Sequence, residues 1–205
     1  MNKIIYFNTI NNELKKSFKK ELKCFLNKFK INKKSHILIV GLGNDNYTAD
    51  SAGPQTLKYI KANNYFKYLG VDIDKPSIAL LEPGTLGETG IITEKIIKKI
   101  SEEVKPNLII LIDSFLSKNI KNMNKTIEIN DIGISTGMGI RGINSNIDYK
   151  TFNIPLIVIG IPTAIEIKYK ENDIPYILSS KDVDKFIYNI SYLIGSSINE
   201  IINDL

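Results

Sequence analysis

The chain reads as an α/β protein, a three-layer α/β/α sandwich built on a mostly parallel sheet. Three observations predict this. Short runs such as Leu108-Ile-Ile-Leu-Ile112 are apolar at every position, as strands buried on both faces are. Other stretches carry apolar residues every three or four positions, the helical period. The two kinds alternate along the chain, the pattern of parallel strands joined by right-handed helical crossovers.

In chain order, residues 11–30 read as an amphipathic helix with Leu14, Phe18, Leu22, Phe25, Leu26 and Phe29 on one face and lysines on the other. His36-Ile-Leu-Ile-Val-Gly41 reads as a buried strand. A polar loop runs over 41–54, and Pro54 suits the first turn of a helix carrying Leu57 and Ile60, where its missing N–H needs no partner. Residues 77–81 read as a strand. Residues 82–90 are too rich in glycine to be regular and read as a loop. Residues 91–104 have helical spacing, and Pro106 stops them. A strand over 108–112 ends at Asp113, and a helix is expected over 114–122. A short strand follows at 126–130, then a glycine-bearing loop at 131–145. A buried strand at 155–159 is closed by Gly160-Ile-Pro162, and a terminal helix covers 180–202. The simplest organisation is one domain over residues 1–205, with 1–34 as a helical N-terminal extension.

Composition limits the function classes. The chain has 205 residues, 43% hydrophobic and 24% charged, which fits one folded domain with a sizeable core. No apolar run approaches the roughly 20 residues that span a bilayer, and no secretory signal opens the chain, so a cytoplasmic protein without a membrane partner is expected. One cysteine, Cys24, leaves no intrachain disulfide. One cysteine and one histidine, His36, also exclude zinc-finger and histidine-based metalloprotease patterns. The net charge is +5, and nine lysines fall between Lys15 and Lys34. A basic face can attract nucleic acid, but in a lysine-rich chain a solvated helix face is the plainer reading, and no nucleic-acid partner is expected.

Ligands of open α/β sheets bind beyond the carboxyl ends of the strands. The loops expected there are 41–54, 82–90, 113–116, 131–145 and 160–166. The first opens Gly41-Leu-Gly43, but a dinucleotide fingerprint would need its third glycine at Asn46, and no Gly-Lys-Ser/Thr follows for a phosphate loop. His36 starts its strand at the opposite end of the sheet and reads as structural. The acids best placed are Asp50 and Asp113. Each could instead cap the helix expected after it. If their strands are neighbours, the two carboxylates can face each other, and two such groups cannot both ionise cheaply. One then holds a proton while the other accepts one from water, which is general acid–base chemistry.

At these residues the sequence resembles a known family. Val40-Gly-Leu-Gly-Asn-Asp-Asn-Tyr-Thr-Ala-Asp-Ser-Ala-Gly-Pro54 and Glu82-Pro-Gly-Thr-Leu-Gly-Glu-Thr-Gly-Ile91 are similar to two signatures of the spore germination proteases. Leu111-Ile-Asp-Ser-Phe115, Asn124-Lys-Thr-Ile-Glu-Ile-Asn-Asp-Ile-Gly-Ile134 and Ile154-Pro-Leu-Ile-Val-Ile-Gly-Ile-Pro-Thr163 resemble further blocks in the same order. The resemblance spans about residues 36–167. It implies a phosphorylase/hydrolase-like fold similar to that of hydrogenase maturation proteases. It also implies an atypical aspartic-type endopeptidase, made as a zymogen and assembled as a homo-tetramer. Such an enzyme degrades small acid-soluble spore proteins in the spore core during germination. Its two essential acids correspond to Asp50 and Asp113.

On this reading Gly43, Asn44, Gly84, Gly87, Thr89 and Gly137 shape the substrate pocket and its hydrogen-bond donors, and Glu166 orients substrate. No metal or cofactor is expected, since no histidine lies in the matching loops. The rival readings are a non-catalytic protein that binds spore proteins or regulates a longer protease, and a metal-dependent processing protease of the hydrogenase maturation type.

Overall fold

The computed structural model describes residues 1–136, 145–168 and 175–205. Strand β1 (Asn2–Tyr6) leads to helix α1 (Asn12–Lys28), which Asn11 caps by accepting the N–H groups of Glu13 and Leu14. Strand β2 (His36–Gly41) ends at a 3-10 turn (Thr48–Asp50) and helix α2 (Ala52–Leu57). Next come α3 (Tyr65–Tyr68), β3 (Ser77–Leu81), α4 (Leu86–Thr89) and α5 (Thr93–Val104). The second half contains β4 (Leu108–Ser117), β5 (Thr126–Asn130), β6 (Ile134–Thr136), β7 (Ser145–Ile147) and α6 (Tyr149–Phe152). It closes with β8 (Leu156–Lys168), β9 (Pro175–Ser179) and α7 (Val183–Asn203).

Among the described residues, seven strands form one sheet in the order β1-β5-β8-β4-β2-β3, with β9 added to the distal half of β8. The centre, β8-β4-β2-β3, is parallel throughout. Strands β1, β5 and β9 run antiparallel to their neighbours. β6 and β7 form a separate two-stranded unit.

The aliphatic strands are buried on both sides, which is why they do not alternate with polar residues. On one face Ile37, Ile39, Ile110, Ile112, Ile157 and Ile159 pack against α1 and α7. On the other, Leu38, Val40, Ile109, Leu111 and Val158 pack with Ile97 of α5 and Ile147 of β7. Helices on both faces of the sheet make the three layers. His36 donates or accepts a short hydrogen bond with Ser77 (2.5 Å) across β2 and β3, at the end of the sheet away from Asp50 and Asp113.

The structure departs from the sequence reading in several places. Residues 1–34 are more than a helical extension. β1 completes the sheet beside β5, while Phe18, Leu22, Phe25 and Leu26 of α1 fill the main core. β1 escapes notice in the sequence because it is an edge strand with only Ile5 buried. Residues 82–90 hold a helical turn, fixed by Thr85 and Glu88 at the spacing of a capping box. The helix expected over 114–122 is absent: β4 continues to Ser117 because pairing with β8 overrides local preference. Likewise β8 does not stop at Gly160-Ile-Pro162 but runs to Lys168. The Phe115 ring lies against Gly160, where a Cβ would stand 3.0 Å from it, close enough that the ring would have to shift.

The lysine face of α1 is partly engaged. Lys15 and Lys19 both reach Glu200, and Lys23 reaches Asp204 at 3.0 Å, all on the end of α7. Such surface pairs are worth at most about 1 kcal/mol each, so apolar packing is what holds α1. Phe25 is fully buried. Its replacement in Phe25→Ala is expected to cost roughly 3–5 kcal/mol, read as a lowered urea midpoint with an unchanged slope.

Candidate active site

β2 and β4 lie side by side, so the chain leaving β2 and the middle of β4 meet at one edge of the sheet. Gly41 pairs with Ile112, and Leu42 N–H continues the ladder to Ile112 O at 2.8 Å. Beyond it the chain turns away from the strand and returns as the 3-10 turn and α2. This return segment lies directly on the strand ends. A Cβ on Gly53 would meet Leu42 O at 2.2 Å and Ile112 O at 2.5 Å. Only a residue without a side chain allows backbone to touch backbone here.

Asp50 is the last residue of the 3-10 turn. Gly43 has φ of +115°, and a Cβ on it would stand 1.9 Å from the Asp50 carbonyl oxygen. Asn44 is buried, and its N–H is shared between the Asp50 backbone oxygen (3.2 Å) and carboxylate Oδ2 (3.0 Å). Its side-chain oxygen accepts Asn46 N–H at 2.8 Å. Gly43 and Asn44 thus hold Asp50 in place.

Asp113 is an interior residue of β4 rather than its terminus, opposite Gly160 of β8. No helix follows it, which removes the capping role that the sequence left open. The adjacent Ser114 is buried and accepts Ala52 N–H at 3.2 Å, tying β4 to the start of α2.

Both acids are partly buried, and their proton affinities are raised. Asp113 is pushed up to about 7, first by burial and then by the charge of Asp50, against the pull of Ser114 N–H. Asp50 is pushed up to about 6 by burial, opposed by Asn44 N–H and reinforced by the Glu88 carboxylate. At neutral pH the pair can therefore divide its roles, one member protonated and the other ionised.

Of the other expected residues, Gly84 has φ of +69° and turns the chain into α4, with the Thr89 methyl against it. Gly87 is exposed on α4. The Thr89 hydroxyl is bonded within its own loop, donating to Thr85 O (3.0 Å) and accepting Ile91 N–H (3.1 Å). Gly137 lies outside the described residues. Glu166 is exposed within β8 opposite Ile177, six residues beyond Gly160, or roughly 20 Å along the strand. The structure does not bring it to the aspartates.

Sequence reading missed Glu88, Gly53 and Ser114. Glu88 accepts Thr85 N–H at 2.9 Å and Asn46 Nδ2 at 3.4 Å, joining the 82–90 loop to the Asp50 loop. The Thr85-x-x-Glu88 spacing was its available signal. Gly53 and Ser114 have none, because each matters only through contacts between distant segments. Among the described residues no group of three His, Cys, Asp or Glu side chains is placed to hold a metal ion, and no helix is long and apolar enough to cross a membrane.

The profile of the germination protease family matches residues 7–181. A germination protease of Clostridium tetani is 36% identical over 169 residues, covering 78% of this chain and 52% of the relative. A germination protease of a Geobacillus species is 38% identical over 152 residues, covering 73% of this chain and 41% of the relative. The chain thus spans about half the length of the curated relatives it matches. The crystal structure of a NiFe hydrogenase maturation protease from Thermococcus kodakarensis aligns with a TM-score of 0.48 at 18% identity, over 83% of this chain and 94% of that one.

Two measurements test this geometry. Gly53→Ala is expected to cost at least about 1–3 kcal/mol through overlap with Leu42 and Ile112, seen as a lowered melting temperature. The second concerns pH. Both carboxyls start from an ordinary value of 3.8 in the unfolded chain and are raised on folding. Below pH 3.8 both states hold the protons and nothing is lost. As pH rises through 6 and 7, the unfolded chain has released protons that the folded chain retains, so stability falls. Asp113→Asn removes the Asp113 share of this penalty. It should stabilise the protein at pH 8, since each tenfold change in proton affinity is worth about 1.4 kcal/mol, and leave thermal unfolding at pH 4 nearly unchanged.

Proposed function

Because the chain belongs to the germination protease family, we propose that it is an endopeptidase that cleaves small acid-soluble spore proteins, with Asp50 and Asp113 as its acid–base pair. The observation that carries this reading is the pair itself. Two partly buried carboxylates, one on the turn that follows β2 and one within the neighbouring strand β4, have raised proton affinities, and the charge of Asp50 raises that of Asp113. Structural carboxylates are usually paired with a cation or left in water. Asp45 and Asp131 are of that kind and bind lysines. Asp50 and Asp113 instead face burial and each other, and their affinities move in the opposite direction.

In this reading Asp113 keeps the proton. Asp50, whose carboxylate accepts Asn44 N–H, ionises first and serves as the base. A water held between them loses its proton to Asp50 while its oxygen attacks the peptide carbon. Asp113 donates its proton toward the carbonyl oxygen, and no covalent enzyme intermediate forms. The tetrahedral diol collapses when Asp50 gives its proton to the leaving nitrogen and the C–N bond breaks, and the diol hydroxyl returns a proton to Asp113. The Gly84–Gly87 turn, joined to the Asp50 loop through the hydrogen bond of Asn46 to Glu88, would bind the substrate backbone. Homo-oligomerisation and action in the spore core belong to the same reading.

Digestion of a small acid-soluble spore protein, followed by mass spectrometry, tests the proposal. Discrete fragments are expected from the wild-type chain. Asp50→Asn and Asp113→Asn should each lower the rate by at least about 100-fold, within the range for loss of a general acid or base. The pH–rate profile should be a bell with its maximum between about 6 and 7. An intact substrate, or a rate that climbs with pH and never falls, would remove the aspartate-pair mechanism.

A further inference from the structure

The pairing of β4 with β8 is regular up to Phe115 opposite Pro162, and resumes with Leu116 opposite Ala164. Thr163 is the extra residue, without a partner on β4. Pro162 has no N–H to give to a ladder, and proline within a sheet is confined to edges and bulges. Bulges of this kind recur beside active sites. In a regular strand, residue 163 would have been one more ladder position. Here its side chain is 1% exposed, and its hydroxyl donates to the carbonyl oxygen of Ala49.

Ala49 immediately precedes Asp50 in the 3-10 turn. That turn and the start of α2 are held from three sides. Asn44 N–H holds the Asp50 carbonyl and carboxylate from the β2 side. The Ser114 hydroxyl accepts Ala52 N–H from β4. Thr163 holds Ala49 from β8. Two of these ties come from the same strands whose pairing places Asp113 opposite Gly160. The Thr163 tie therefore fixes Asp50 relative to the strand pair that carries its partner acid.

We propose that Thr163, the residue of β8 left unpaired by β4, is the positioning residue that sets the Asp50 carboxylate against Asp113. The inference rests on the aspartate-pair reading above. It adds a residue that never touches substrate and acts through the backbone of Ala49. Without the hydroxyl the turn is released on its β8 side, and Asp50 moves toward solvent. The groups facing Asp50 are Asp113 on β4, Glu88 on α4 and the Asn44 N–H. Burial is the main cause of its raised affinity, so release should return Asp50 toward the ordinary carboxylate range.

The test uses the full chain with carbonyl-carbon-labelled aspartate, following the Asp50 carboxyl by NMR and assigning it with Asp50→Asn. Thr163→Val removes the hydroxyl at nearly constant volume, and Thr163→Ser keeps it. The Asp50 titration is expected to move to lower pH in Thr163→Val and to stay at the wild-type position in Thr163→Ser. In the digest, kcat should fall roughly 10- to 100-fold in Thr163→Val, the scale of a small misplacement of a catalytic group, with KM within about twofold and recovery in Thr163→Ser. An Asp50 titration identical in wild type and Thr163→Val would overturn the proposal, and so would a Thr163→Ser shift as large as that of Thr163→Val. If Thr163→Val does not fold, Thr163→Cys supplies a weaker donor of similar size and must give an intermediate shift, or the proposal falls. The titration needs no turnover, so it judges the positioning claim separately from the wild-type digest, which judges the function.

Discussion

The contact on which the site depends is backbone against backbone. The segment from Ala49 to Gly53 returns onto the ends of β2 and β4 with no side chain between them, because residues 43 and 53 are glycines facing the Asp50 carbonyl and the Leu42 and Ile112 carbonyls. Any Cβ at these positions would push the segment off the sheet. With the segment seated, Asp50 comes within electrostatic reach of Asp113, and the neighbouring polar groups become its fixings. Asn44, Ser114 and Thr163 each bond to this one stretch of chain, from three different strand connections.

That seating explains the electrostatics. An aspartate on a mobile polar loop would sit in water near its ordinary proton affinity. Pressed against the sheet end, Asp50 loses hydration and keeps one N–H donor, while Asp113 sits deeper and feels its charge. The arrangement opposes stability above neutral pH. The large double-faced aliphatic core offsets it, with helices α1 and α7 covering one side and α5 the other. An active site can carry such strain because the scaffold beneath it is rigid.

The distal strands show how far pairing can overrule local signals. Ser-Phe-Leu-Ser after Asp113 has no strong strand preference, and Gly-Ile-Pro in β8 reads as a stop, yet both run on as paired strands. Each strand supplies the hydrogen-bond partners that the other needs. The mismatch introduced by Pro162 is absorbed as a bulge rather than as a chain end. The same lesson applies to β1 and β9, whose exposed residues carry no burial pattern and whose strand character comes from β5 and β8 alone.

By itself the sequence determined the fold class, the buried strands at 36–41, 77–81 and 108–112 and the long helices, because these depend on hydrophobic period, and it singled out Asp50 and Asp113 as candidates. It also carried the family resemblance through the glycine-rich blocks around those acids. Tertiary structure alone decided that β4 passes through Asp113, that residues 2–6 and 175–179 are strands, and that Glu166 stands away from the acids while Glu88 stands near them. It alone showed what Gly53, Ser114 and Thr163 do. Their roles are contacts between residues separated by up to 114 positions in the chain, and no local pattern records a contact that forms only when distant strands align.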